Sequence, residues 1–126
     1  MVLIPVHIVT GAPRAGKSAF IARLCAERRD WLGLVNSPTS AAGMSNMKPL
    51  PAGCPCCAGK LVLQITLARA LRETRAGRAF VELGGAVHLT ELRRVLDEPP
   101  FSLSVVNSRS VRLPQDAGLH AADFDR

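Results

Sequence analysis

The stretch Val2-Leu3-Ile4-Pro5-Val6-His7-Ile8-Val9-Thr10-Gly11-Ala12-Pro13-Arg14-Ala15-Gly16-Lys17-Ser18 decides the fold. Its first part is apolar and rich in β-branched residues, the pattern of a strand buried on both faces in a parallel sheet. Pro5 cannot donate to a ladder, which places the firm part of the strand at residues 6–10. Its second part, Gly11 to Ser18, matches G-x-x-x-x-G-K-[ST] without a mismatch. Phosphate chemistry explains that spacing. Successive backbone N–H groups turn inward around a phosphate, and glycine permits the dihedrals this requires. The start of the following helix adds the positive end of its dipole. Lys17 reaches the β- and γ-phosphate oxygens, and the Ser18 hydroxyl ligates Mg²⁺. Ala12, Pro13, Arg14, Ala15 and Ala19 complete the expected nucleotide-binding segment between and beside Gly11, Gly16, Lys17 and Ser18. Arg14 either lies over the phosphates as a finger or points to solvent.

Outward from this segment, strand and helix signals alternate. Phe20, Ile21, Leu24 and Cys25 recur at helical spacing between Ser18 and Arg29. Leu32–Asn36 reads as a second short strand. Residues 37–52, rich in Ser, Pro, Gly, Ala and Met, have no periodicity and read as one long mobile loop. Leu61–Arg75 is predicted as a helix stopped by Gly77, Ala79–Leu83 as a third strand, Thr90–Leu96 as a helix stopped by Pro99-Pro100, and Ser102–Val106 as a fourth strand. The tail from Leu113 has one helical turn at most. This alternation predicts a parallel α/β sheet flanked by helices.

The chain has 126 residues, room for a single domain over 1–126. It is 48% hydrophobic and 21% charged, which excludes disorder. With five aromatic residues and no Tyr, an aliphatic core is expected. No apolar run approaches the roughly 20 residues of a membrane span, and the N-terminus has no secretory pattern. The net charge of +6 is unevenly placed. Residues 1–70 carry eight Lys/Arg against two acids, whereas residues 71–126 carry eight of each sign. A basic half suits an anionic partner. Nucleotide phosphate is favoured over nucleic acid, since a basic surface alone is a weak signal for the latter.

Two further clusters carry chemistry. Ala79-Phe80-Val81-Glu82-Leu83-Gly84-Gly85 ends a buried strand in an acid. A carboxylate there holds Mg²⁺ on the side opposite the loop hydroxyl, and Gly85 can bring its N–H to a γ-phosphate. The other reading of Glu82 is an ordinary strand-end acid. Gly53-Cys54-Pro55-Cys56-Cys57 places three thiols within four positions. Such clustering fits a soft cation and a reducing, cytoplasmic setting better than a disulfide framework. Lys48 and Lys60 would help keep thiolates ionised. Water, His88, His120 or a group on a partner could supply the fourth ligand. Cys25, on an apolar helix face, reads as core.

The order of phosphate loop, G-C-x-C-C and E-x-x-G resembles the CobW-like metallochaperone GTPases, relatives of the UreG and HypB nucleotide-binding proteins. Val35-Asn36 matches that family's second strand, Glu82-Leu83-Gly84-Gly85-Ala86 its E-T-[TS]-G-L, and His120-Ala121-Ala122-Asp123 its Q-x-x-x-A-D segment. The resemblance implies a P-loop NTPase-like fold, incomplete relative to a full G domain. It also implies a protein that binds and hydrolyses GTP with Mg²⁺ and whose nucleotide state controls zinc or cobalt. Carried over by position, Gly11, Gly16, Lys17 and Ser18 bind phosphate and Mg²⁺, with Lys17 and Glu82 as the catalytic pair. Glu82 and Gly85 sense the γ-phosphate, and Cys54, Cys56 and Cys57 hold zinc or cobalt for a recipient metalloprotein. The chain departs from the family in Arg14 and Ser18-Ala19, in the acid-free segment Ser37–Gly43, and in lacking an N-K-x-D motif and a C-terminal domain. ATP therefore stays open beside GTP, and a homodimer is compatible. Two other classes remain: a non-catalytic zinc-binding module with a degenerate nucleotide site, and a P-loop ATPase or kinase of another kind.

Overall fold

Five parallel strands lie in the order β3-β2-β4-β1-β5: β1 Ile4–Gly11, β2 Trp31–Val35, β3 Met47–Pro49, β4 Arg78–Glu82 and β5 Val105–Leu113. Among the described residues the helices are α1 Lys17–Glu27, α2 Gly59–Thr74 and α3 Leu89–Asp97, and a 3-10 turn spans Ala121–Phe124. The computed structural model describes residues 4–11, 16–35, 45–49, 59–83, 89–98 and 105–124. The parallel α/β class expected from the alternation is what the chain adopts.

The two-residue period of the strands sorts side chains onto two faces. Val6 and Ile8 of β1, Leu32 and Leu34 of β2, and Ala79 and Val81 of β4 share one buried cluster with Leu67 of α2 and Leu92 of α3. Val9, Trp31, Val35 and Phe80 belong to the other, with Phe20, Ile21 and Leu24 of α1 and with Phe124. This second cluster corrects the expectation of an aliphatic core. Phe20, Trp31, Phe80 and Phe124 are all buried in it. Few aromatics in a chain do not mean an aliphatic core when the fold gathers them on one face.

Three strand boundaries differ from expectation. β1 begins at Ile4 and includes Pro5, which pairs with Val106 of β5, whereas pairing with β4 starts only at Val6. Pro5 thus sits where β1 has one neighbour, and its missing N–H breaks no ladder. Residues 37–52 are not one loop, because Met47–Pro49 pairs in parallel with Gly33–Val35. Met47 is buried against α1 and supplies the apolar anchor for so short a strand. The last strand runs over Val105–Leu113 rather than 102–106. It continues through the polar run Asn107-Ser108-Arg109-Ser110, and an edge strand tolerates polar residues. Residues 101–104, Asn36 and Gly43 lie outside the described residues.

Gly33 lets α1 approach β2 closely. A Cβ there would meet Ile21 Cγ2 at 2.6 Å and Cys25 Sγ at 3.2 Å. Asn46 ties the far end of α1 to the sheet. Its buried Nδ2 donates to the carbonyls of Cys25 (2.8 Å) and Trp31 (2.9 Å), while its own carbonyl accepts Gly33 N–H at 2.9 Å.

Candidate functional site

Strand β1 ends at Gly11, and α1 starts at Lys17, immediately after Gly16. Gly16 has φ 88, a left-handed conformation that side chains beyond glycine rarely take. From it the helix closes its first turn, with Phe20 N–H donating to Gly16 O at 2.8 Å. No acid occupies the first turn of α1, so its positive dipole end stays open to an anion. Lys17 is only 7% exposed, and its Nζ donates to Gly11 O at 2.8 Å. The ammonium therefore spans the loop from helix to strand, at the point where the loop closes.

Glu82 reaches the same place by register and parity. It stands opposite Val9 in the β1–β4 pairing, and Leu83 N–H continues the ladder to Val9 O at 2.9 Å. Phe80, two residues earlier, belongs to the cluster on the α1 side, so the strand period turns Glu82 toward α1 as well. Ser18 Oγ donates to Glu82 Oε1 at 2.5 Å, across 64 positions of sequence. At 8% exposure, Glu82 needs such a partner, because an unpaired buried carboxylate is costly. The Lys17 ammonium and the N-terminus of α1 thus lie at the same end of the sheet. Beside them stand two hard oxygen donors, hydroxyl and carboxylate, of the kind Mg²⁺ prefers.

Of the residues singled out from sequence, Gly11, Gly16, Lys17, Ser18 and Glu82 meet at this end of the sheet. Ala19 is exposed in the first turn of α1. Ala12, Pro13, Arg14, Ala15, Gly85, His88, Cys54, Cys56 and Cys57 lie outside the described residues. Among the described residues no group of three or more His, Cys, Asp or Glu could hold a metal. Cys25 is fully buried, and desolvation pushes its thiol from 9.0 up to about 12, so it belongs to the core, as its helical spacing predicts. His120 is engaged on Nδ1 by Arg23 Nη1 at 3.1 Å.

Sequence reading missed one residue that positions the site and one that holds β3. Thr10 is buried at the end of β1, and its Oγ1 donates to Val111 O at 3.3 Å, which fixes the loop's point of departure against β5. A lone Thr closing an apolar run was the only signal. Asn46 anchors β3, and no pattern in sequence distinguishes it from a loop Asn. Among the described residues no helix is long and apolar enough to cross a membrane.

The family model described as CobW/HypB/UreG, nucleotide-binding domain matches residues 5–113. Among curated proteins, the "Zinc chaperone YeiR" of Escherichia coli (strain K12) is 27% identical over 106 residues, covering 75% of this chain and 32% of that protein. The chain spans about a third of that relative's length. No solved structure matches it.

Proposed function

The chain belongs to the CobW/HypB/UreG nucleotide-binding family, and from that premise we propose that it binds GTP with Mg²⁺ and couples the bound nucleotide to uptake and delivery of zinc or cobalt. The observation that carries the reading is the Ser18–Glu82 pair, set beside Lys17 at the start of α1. Lys17 turns from Gly11 O to the β- and γ-phosphate oxygens, and the backbone N–H groups at the start of α1 take the rest of the phosphate charge. Ser18 and Glu82 hold Mg²⁺, which when bound neutralises charge on the phosphate oxygens. For hydrolysis, Glu82 and Gly85 order the attacking water. Turnover is weak, in keeping with the absence of any acid from Ser37 to Gly43.

The cargo metal is held by Cys54, Cys56 and Cys57. Strand β3 is parallel to β2, so its last residue, Pro49, lies at the sheet edge where β1 and β4 end. Cys54 follows five positions later, and α2 starts at Gly59, two positions after Cys57. Chain connectivity thus tethers the thiols to the nucleotide edge, which supports coupling between metal and nucleotide. The zinc chaperone relative supports zinc as the cargo. The recipient is an apo-metalloprotein, and the thiols work reduced, in the cytoplasm.

Lys17→Ala tests the reading. The variant should lose triphosphate binding by more than about tenfold in a fluorescent-GTP titration, since a charge-assisted phosphate contact is worth roughly 1.5–3 kcal/mol, and it should keep wild-type zinc stoichiometry. GTP affinity equal to wild type would overturn the phosphate site. Loss of zinc together with GTP would show that the two sites are not separate.

A further inference from the structure

The phosphate-loop motif leaves β1 at Gly11 and enters α1 at Lys17-Ser18. The chain at and beyond the end of β5 is bonded to both of these posts. On the strand side Leu113 pairs with Gly11, and Thr10 Oγ1 donates to Val111 O at 3.3 Å. Past Leu113 the chain turns: Ala117 N–H donates to Pro114 O at 3.1 Å and Leu119 N–H to Asp116 O at 3.1 Å. On the helix side Arg23 of α1 holds that turn. Its Nη2 donates to Ala117 O (3.2 Å) and Leu119 O (2.7 Å), and its Nη1 lies 3.1 Å from His120 Nδ1.

Arg23 is itself fixed. Its guanidinium lies 5.4 Å from the centroid of the Phe20 ring, a cation–π contact one helical turn away. Phe20 is buried in the α1-side cluster, and its N–H donates to Gly16 O at 2.8 Å. One residue thus carries both the bond to the last glycine of the motif and the platform for the arginine. The path from Gly11 through β5, the turn and Arg23 back to α1 closes a ring around the motif, so the spacing of its two posts is set from outside it. A second arginine, Arg93 of α3, donates to the Ser110 hydroxyl of β5, opposite Ile8 in the middle of β1 and away from the motif.

We propose that Arg23 is a positioning residue for the triphosphate: by clamping the turn after β5 to α1, it sets the span between Gly11 and Lys17-Ser18. This rests on the nucleotide reading proposed above. Arg23 acts through the carbonyls of the turn rather than on the phosphates. Phosphate affinity depends on donors held in place before the ligand arrives, so a small change in that span is costly. Linkage makes the effect reciprocal: the factor by which the clamp raises GTP affinity is the factor by which bound GTP stabilises the clamp.

The test is a fluorescent-GTP titration of the full chain with Mg²⁺, joined to amide exchange at Ala117 and Leu119. Arg23→Met keeps an aliphatic stem over Phe20 and removes the donors. It should weaken GTP binding by roughly three- to tenfold, the span of one net hydrogen bond, with Trp31 emission as in wild type. The loss should persist at high salt, where a long-range charge effect is screened away. Arg23→Lys, which keeps N–H donors, should recover most of the affinity, and Arg93→Met should bind GTP as wild type does. In wild type, GTP should slow exchange at Ala117 and Leu119 by a comparable factor, and in Arg23→Met it should not. Equal GTP affinity for wild type and Arg23→Met would overturn the positioning role. So would a loss that salt abolishes, a loss that Arg93→Met matches, or wild-type turn amides that GTP leaves unchanged. This last comparison needs no variant and decides the matter if Arg23→Met does not fold. Failure of the nucleotide reading is distinct: wild type then binds no GTP, or Lys17→Ala binds it equally well, and the positioning role falls with it.

Discussion

The two faces of the sheet are built from different materials. The face under α2 and α3 is aliphatic: Val6, Ile8, Leu32, Leu34 and Val81 meet Leu67 and Leu92. Each of those helices adjoins in sequence a strand it covers. The face under α1 carries the rings. Phe80 lies 5.0 Å from His7, 5.5 Å from Trp31 and 5.1 Å from Phe124 between ring centroids. His7 is buried there, its Nε2 2.6 Å from Arg78 Nη1, and Arg78 in turn lies 5.3 Å over Trp31. These partners come from β1, β2, β4 and the 3-10 turn near the end of the described chain. Both faces draw on β1, β2 and β4, and α1 adjoins β1 and β2 in sequence; what sets the second face apart is Phe124, brought from the 3-10 turn by closing a long stretch of chain, at an entropy cost that dense ring contacts offset. Lys17 and Ser18 open α1 and Glu82 ends β4 two residues after Phe80, so the candidate site stands beside the ring-bearing face.

The largest way to break that contrast is Phe80→Ala. It should cost about 3–5 kcal/mol in urea unfolding, the usual range for a buried Phe, because it removes the ring at the centre of the cluster. Leu34→Ala on the aliphatic face should cost about 2–5 kcal/mol. The faces are told apart by Trp31 fluorescence at zero urea, which Phe80→Ala shifts and Leu34→Ala leaves in place. Equal shifts would mean that the two faces do not behave as separate clusters.

A smaller effect sharpens the contrast through pH. Burial on the α1 face raises the Cys25 thiol from 9.0 to about 12. The folded state then holds its proton more tightly than the unfolded state does. Stability from this group is complete below pH 9 and is lost between about pH 9 and 12, at roughly 1.4 kcal/mol per pH unit. Cys25→Ala should lack that part of the alkaline decline. The variant should be less stable than wild type at neutral pH, from the lost packing, and the gap should narrow as pH rises above 9. A constant gap would place the thiol in water.

Much of the fold was legible because local periodicity and long-range packing agree in it. The helical spacing of Phe20, Ile21, Leu24 and Cys25 gave α1, and the apolar runs gave β1, β2 and β4. What escaped was held together by contacts that leave no local pattern. β3 exists because Met47 finds α1 and Asn46 bonds to the carbonyls of Cys25 in α1 and Trp31 in β2. β5 was placed too early because its polar centre pairs along β1 at an edge where polar residues are tolerated. The site was legible in part for a physical reason as well. A phosphate loop must follow a strand and open a helix, so its motif carries its own context, and the acid at the end of β4 needed only the strand order to meet it. The expected thiol cluster rests on chain connectivity alone, since Cys54, Cys56 and Cys57 lie outside the described residues.

The proposed function rests on coupling between a bound nucleotide and a metal. Its most direct test is a titration of fluorescent GTP with Mg²⁺, with and without one equivalent of Zn²⁺, competed by ATP. The account predicts GTP-selective binding whose affinity changes when zinc is present. Zinc bound with no nucleotide binding in either condition would contradict it, and would leave the cysteines as the chain's working site.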